Sequence, residues 1–261
     1  MTHPMQATSL FSATLPLTFS DQGEGPAFLL LHSGAGAATI GGLADTLSGR
    51  GRAVVPTHPG FDGTPRPDWC ARIGDLVLAY LALIERLDLS QVVLIGNSVG
   101  GWIAAEMALR GSPRVAGLVL LNSVGIETEN PERPIVDPMT LPPRDLLAHS
   151  FHDPGRFASA PPTPEAAAVI AANQKTLRVY AGEPFMHDLS LRPRLARMPV
   201  PAMLIWGESD GIVDMAYGRH FADSISGAQF RPVPEAGHFP QIEQPARVAA
   251  LIGELANAAQ A

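Results

Sequence analysis

Several short stretches of this chain are apolar at consecutive positions rather than at alternate ones: Phe28-Leu29-Leu30-Leu31, Ala53-Val54-Val55, Val92-Val93-Leu94-Ile95, residues 115–121, and Ala202-Met203-Leu204-Ile205-Trp206. A strand with one wet face alternates apolar and polar residues, whereas a strand covered on both faces has no polar positions to alternate with. These runs therefore predict the central strands of a parallel sheet. Between them the period changes. Trp69, Ile73, Leu76, Val77, Tyr80, Leu81, Ile84 and Leu87 recur at three- and four-residue spacing, which predicts a long amphipathic helix across 67–89. Shorter helices are expected over 38–50 and 215–224, a strand over 229–233, and a closing amphipathic helix over 241–256. Ahead of the first buried run, residues 7–19 form short strand-like pieces before a turn at Asp21-Gln22-Gly23-Glu24-Gly25-Pro26, and read as an antiparallel hairpin. The alternation of strands and helices predicts an α/β fold, with a mostly parallel central sheet and helices on both faces.

The pattern breaks between 124 and 198. Nine of the 25 prolines fall between Pro131 and Pro164, and only two helix-like pieces appear, around 144–149 and 165–180. Such a segment cannot build its own core and is expected to be a mainly helical lid inserted over the carboxyl edge of the sheet. The expected organisation is a core of residues 1–123 and 199–261 with a lid of residues 124–198. No internal repeat is visible.

Composition narrows the function without naming it. The 261 residues, 46% hydrophobic and 16% charged, suit one large domain with an insertion. A formal charge of −7 with no basic cluster argues against nucleic-acid and anionic-membrane partners, and for a small, neutral or apolar substrate molecule. Cys70 is the single cysteine, so an intrachain disulfide and a thiolate metal cluster are both excluded, and it reads as a half-buried helix residue. No basic leader and no apolar run of membrane-spanning length is apparent, so a cytoplasmic protein is expected. The histidines lack ligand spacing, and neither a metal nor an organic cofactor is implied.

The candidate chemistry begins where the run 92–95 meets Gly96-Asn97-Ser98-Val99-Gly100-Gly101 and turns directly into a helix pattern. A serine at such a corner sits at a strained backbone angle, and glycines on either side let strand, turn and helix pass closely. The helix beginning behind it directs free amides and a positive dipole end toward the place where an oxyanion would form. Gly101, Ala104 and Ala108 put small side chains on one face of that helix and permit close packing on the sheet.

This strand, corner and helix resemble the nucleophile elbow of the α/β-hydrolase superfamily. The likeness extends over nearly the whole chain. Two later motifs carry it: Gly207-Glu208-Ser209-Asp210 after one strand, and Ala236-Gly237-His238-Phe239-Pro240 after the last. The resemblance implies that Ser98 is the nucleophile, His238 the base and Asp210 the acid that orients it, in the chain order of that superfamily. Asp214 and Glu208 are the rival acids; Asp214 reads better as the cap of the next helix. The other position at which the superfamily carries its acid holds Asn122-Ser123, which has no carboxylate. His149, His152 and His187 fall in the lid outside any motif. The loop His32-Ser33-Gly34-Ala35-Gly36-Ala37 stands where the superfamily has His-Gly-x. Because Ser33 departs from that pattern, the oxyanion amides are assigned to Gly34 and Val99, with Ser33 nearby as a second choice. His32 is expected to pin this loop by hydrogen bonding. The loop His58-Pro59-Gly60-Phe61-Asp62-Gly63 is read as architecture.

The implied reaction is hydrolysis of a small, largely apolar carboxylic ester through an acyl-enzyme. Leu146, Leu147, Phe151, Phe157 and Phe185 in the lid, with Phe239 and Ser33, are the expected pocket lining. A second reading is carbon–carbon bond hydrolysis, because the elbow and the His32 loop also resemble those of the meta-cleavage-product hydrolases. That group usually has tryptophan after the histidine, where this chain has Phe239, and needs an arginine for the substrate carboxylate, for which Arg156, Arg178 and Arg192 are the candidates. A third reading is a hydrolase-like ligand receptor with slow turnover. Ser98 excludes the related dehalogenases and epoxide hydrolases, which place aspartate there.

Overall fold

The computed structural model describes residues 5–157 and 162–260. Strand β1 (Gln6–Leu10) and β2 (Leu15–Gln22) form the expected antiparallel hairpin, and β2 joins β4 (Arg52–Pro56) antiparallel. The other strands run parallel: β3 (Ala27–Leu31), β5 (Val92–Asn97), β6 (Val115–Leu121), β7 (Ala202–Gly207) and β8 (Gln229–Val233). The sheet order is β1-β2-β4-β3-β5-β6-β7-β8, so β5 lies near the middle and the loops after β3, β5, β6, β7 and β8 gather at one edge.

Period-two geometry divides each apolar run between two cores. Leu29, Leu31, Leu94, Leu118, Leu120, Leu204 and Trp206 face one cluster, shared with α2 (Ile73–Arg86), α3 (Val99–Leu109) and α8 (Met215–Asp223). Phe28, Leu30, Val93, Ile95, Val119, Leu121, Met203 and Ile205 face the other, built with α1 (Ala38–Leu47) and α10 (Pro245–Gln260). Both faces are covered, which accounts for strands without polar alternation.

Helix α2 and the closing helix differ from the sequence pattern. Helix α2 starts at Ile73, where the Asp75 carboxylate caps the backbone N–H groups of Ala71 and Arg72. Trp69 thus lies ahead of the helix, half exposed, edge-on to the Phe11 ring. Cys70 precedes the helix as well and is fully buried, its Sγ 3.5 Å from the Tyr180 hydroxyl. The closing helix is split at Gln244, since proline at 245 lacks the N–H that a continuous helix needs; a short α9 (Pro240–Glu243) precedes α10.

Among the described residues between β6 and β7, none adds a strand to the sheet. This stretch holds α4 (Pro143–Ser150), α5 (Pro154–Phe157), α6 (Pro164–Ala181) and α7 (Leu191–Leu195). Among the described residues, no helix is long and apolar enough to cross a membrane.

Candidate active site

Ser98 links the last residue of β5 to the first of α3 at φ 56° and ψ −120°, a conformation that L-residues rarely occupy. The close approach explains the glycines. A Cβ on Gly96 would lie 2.2 Å from the Gly100 carbonyl oxygen, and one on Gly100 would lie 2.2 Å from that of Leu31. A Cβ on Gly101 would meet Ser123 Oγ at 2.3 Å. Ser98 is 6% exposed, and the amide of Val99 is the first of the helix, where backbone N–H groups have no intrahelical partner.

Asp210 follows β7 and His238 follows β8. His238 Nδ1 lies 2.9 Å from Asp210 Oδ2. An ionised carboxylate only accepts, so the proton of that bond sits on Nδ1 and Nε2 keeps its lone pair. Asp210 is itself held from three directions: Asn122 Nδ2 donates to Oδ2 at 2.6 Å, and the amides of Ile212 and Val213 donate to Oδ1 at 2.7 and 3.2 Å. Asn122 Oδ1 accepts from the Gly207 amide at 3.1 Å, so this residue spans the ends of β6 and β7. Asp214 caps α8 by accepting from Tyr217 N at 2.9 Å and pairs with Arg133, away from the histidine.

The serine corner and the histidine loop are joined through Asn97. Its Nδ2 donates to the carbonyls of His238 at 3.1 Å and Leu121 at 2.9 Å. The 149–153 stretch crosses the same loops. His149 O accepts from Gly211 N at 2.9 Å, and Ser150 O accepts from His238 N at 2.8 Å. Glu243 on α9, 5% exposed, accepts from Gly237 N at 2.6 Å and from His152 N at 3.0 Å.

The loop after β3 is held by a buried histidine pair. His32 and His58 stack with centroids 3.7 Å apart. His32 Nε2 accepts the His58 backbone N–H at 2.9 Å, which puts the His32 proton on Nδ1, donated to Ser33 O at 2.7 Å. His58 Nε2 donates to His32 O at 2.9 Å, so its Nδ1 accepts from the Tyr80 hydroxyl. Every ring nitrogen is satisfied by a neutral imidazole. Burial pushes His32 down to about 4 and, with His32 beside it, holds His58 well below its ordinary range. His32 thus pins the loop as expected, and the architectural reading of His58 gains its partners. Ser33 is buried, its Oγ accepting from Ala35 N at 3.1 Å and donating to Thr39 Oγ1 at 3.2 Å. Gly34 lies under Leu177 of α6; a Cβ there would meet Leu177 Cδ2 at 2.5 Å.

Of the expected lining residues, three come together. Phe151 stacks on Phe157 at 4.5 Å and tilts against Phe239 at 5.4 Å, and the Phe239 ring lies edge-on to His238 at 5.2 Å. Phe185 packs against the larger core cluster, and Leu146 and Leu147 are half-buried on α4. Two candidate arginines are engaged by carboxylates: Arg178 with Asp137 at 3.0 Å and Arg192 with Glu127 at 2.6 Å. Arg156 lies over the Phe157 ring at 5.4 Å. Asn97, Asn122, Leu177 and Glu243 were not singled out by sequence reasoning. A signal existed for Asn97 and Asn122, which border the corner and a strand end; none marked Leu177 or Glu243.

A model of the alpha/beta hydrolase family matches residues 28–251. The chain belongs to this family. It is 27% identical over 281 residues to a 2-hydroxymuconate semialdehyde hydrolase of Pseudomonas sp. (strain CF600), covering 99% of this chain and 96% of that protein. It is 23% identical over 257 residues to a 2-hydroxy-6-oxo-6-phenylhexa-2,4-dienoate hydrolase of Burkholderia cepacia, covering 86% and 85%. Among solved structures, a meta-cleavage product hydrolase from Pseudomonas fluorescens IP01 superposes with a TM-score of 0.81 at 23% identity, covering 97% of this chain and 98% of that one. A thermophilic esterase from Thermogutta terrifontis superposes at 0.76 with 23% identity, covering 98% and 100%. At these identities the structural likenesses speak to fold alone.

Proposed function

We propose that this family member is a serine hydrolase that cleaves a small, largely apolar carboxylic ester. The observation that carries the reading is the 2.9 Å bond between His238 Nδ1 and Asp210, which leaves Nε2 as the basic nitrogen of a loop that Asn97 ties to the strained corner carrying Ser98. In this mechanism Nε2 takes the Ser98 proton as Oγ bonds to the ester carbonyl carbon. The amides of Val99 and Gly34 receive the oxyanion, and Asp210 stabilises the imidazolium. Collapse breaks the bond to the alkoxy oxygen, which leaves as the alcohol with the proton from His238. Water then adds to the acyl-enzyme by the same route, releasing a carboxylic acid and free Ser98. The 124–198 insertion serves as a lid, with Phe151, Phe157 and Phe239 as an apolar wall beside the histidine.

Carbon–carbon bond hydrolysis is the second reading, favoured by the names of the curated relatives. Against it stand Phe239 in place of tryptophan and the engagement of Arg178 and Arg192 by carboxylates, which leaves neither as an unpaired cation for a substrate carboxylate. A panel of p-nitrophenyl esters of graded length, run beside a dienoate carbon–carbon substrate on wild type and Ser98→Ala, decides between them. Ester turnover and fluorophosphonate labelling that are both lost in Ser98→Ala are expected. Turnover of the dienoate above that of every ester refutes the ester reading, and activity retained by Ser98→Ala refutes the nucleophile.

A further inference from the structure

The buried face of α6 rests on the two loops that follow β3 and β4. Asn173, 4% exposed, forms a reciprocal pair with Asp62: Asn173 Nδ2 donates to Asp62 Oδ1 at 2.8 Å, and the Asp62 backbone N–H donates to Asn173 Oδ1 at 2.8 Å. The other carboxylate oxygen, Asp62 Oδ2, accepts from the backbone N–H of Ala37 at 2.8 Å. Gly36 makes room for this approach. Its φ is 104°, and a Cβ there would lie 2.5 Å from Asp62 Oδ1. One turn further along α6, Thr176 Oγ1 donates to Gly60 O at 2.9 Å, and Leu177 packs on Gly34.

We propose that Asp62 and Asn173 form a latch through which helix α6 positions the oxyanion loop, making both residues positioning residues for the Gly34 amide. The inference rests on the reading of Gly34 as an oxyanion donor. Its physical basis is that the loop is a tight turn, closed by Gly36 N to Ser33 O at 3.1 Å, so that a displacement of Ala37 is carried back to Gly34 within three residues. The carboxylate of Asp62 holds the loop by Ala37 and is itself oriented by Asn173. A shift of α6 therefore reaches the oxyanion donor without any contact between α6 and the reacting atoms. Misplacing a reacting group by about 1 Å can cost on the order of 10²-fold in rate.

The pair permits a swap. Asp62→Asn leaves one acceptor oxygen for two donors, so its NH2 faces either the Ala37 N–H or Asn173 Nδ2, and Asn173→Asp sets two carboxylates against each other. The double variant Asp62→Asn/Asn173→Asp restores one carboxylate facing one amide. Each single variant should lower kcat by about tenfold or more, short of the about 10²–10³-fold lost with a whole oxyanion donor, with KM unchanged. The double variant should recover most of kcat. A boronic acid that mimics the tetrahedral intermediate should lose affinity in the singles in step with kcat, while an ether analogue of the substrate, which has no carbonyl for Ser98 to attack, should not. Hydrogen exchange over residues 33–39 should rise in the singles and fall again in the swap. Singles that keep wild-type kcat, or a swap no more active than the weaker single, overturn the latch. Equal losses for both inhibitors overturn it too, since they mean a general loss of the site. Asn173→Ala, with its folding checked by circular dichroism, replaces Asn173→Asp if that variant does not fold. Wild type that neither hydrolyses esters nor labels at Ser98 refutes the proposed reaction and the oxyanion role together, and the exchange pattern still decides separately whether the latch holds the loop.

Discussion

Removing the carboxylate of Glu243 should destabilise the protein and loosen the histidine loop together. The side chain is almost fully buried on α9 and accepts backbone N–H groups from two segments far apart in sequence: Gly237 at 2.6 Å, His152 at 3.0 Å and Asp153 at 3.3 Å. These three do not count equally. Gly237 is buried, so in Glu243→Ala its N–H is left without an acceptor, at a cost of about 1–3 kcal/mol. His152 and Asp153 are exposed, so water can replace the carboxylate there, and each contributes at most about 1 kcal/mol. The expected loss for Glu243→Ala is about 3 kcal/mol, which for a chain of this size corresponds to a fall in Tm of roughly 6–12 °C. Glu243→Gln retains one acceptor oxygen and should lose about half as much. Urea denaturation followed by tryptophan fluorescence measures both. Because Gly237 immediately precedes His238, turnover should fall more in Glu243→Ala than in Glu243→Gln under conditions where both are folded. A midpoint for Glu243→Ala that matches wild type, or a glutamine variant as damaged as the alanine one, would falsify the hydrogen-bond account.

Asp210→Asn should lower turnover by orders of magnitude, about 10⁴-fold in the serine-protease precedent, whereas Asp214→Asn should cost helix stability and little catalysis; steady-state kinetics showing the reverse order refutes the choice of acid. Asn122→Ala removes a 2.6 Å donor from Asp210 and should lower kcat without raising KM, as the same kinetics would reveal. Acid should destabilise the fold through His32 and His58. Both have folded-state pKa values below the unfolded value, so as pH falls below about 6.5 the unfolded chain takes up protons first and stability declines; for His32 the loss levels off near pH 4. Urea midpoints measured between pH 7 and 4 should fall, and His32→Gln should flatten the dependence; an unchanged slope argues against the buried pair as its source. Phe151→Ala and Phe157→Ala should shift ester chain-length preference by up to about 0.8 kcal/mol per methylene no longer buried, leaving fluorophosphonate labelling of Ser98 nearly unchanged.

What the sequence determined by itself was local. Runs such as Val92-Val93-Leu94-Ile95 predict doubly covered strands because two apolar faces leave no polar positions, and the corner at Ser98 is legible because only glycine at 96 and 100 tolerates carbonyl oxygens 2.2 Å from a would-be Cβ. That Asp210 and His238 each follow a strand was legible from the apolar runs ending before them, while their pairing was expected only from the resemblance of their motifs; Asp214 as a cap was legible because it needs only the next three residues. Tertiary structure alone decided which of two cores each strand residue faces. It also decided that Trp69 stands outside α2, that Cys70 is buried against Tyr180, and that Phe185 belongs to the core while Phe151, Phe157 and Phe239 meet beside His238. The supports of the site lie on the same side of that division. Asn122 reaches Asp210 across 88 residues, Asp62 reaches Asn173 across 111, and Glu243 reaches His152 across 91. A backbone corner is dictated by sterics within a few residues, and sequence records it. A hydrogen bond between distant segments depends on how the whole sheet and its insertion pack, and no local pattern carries that.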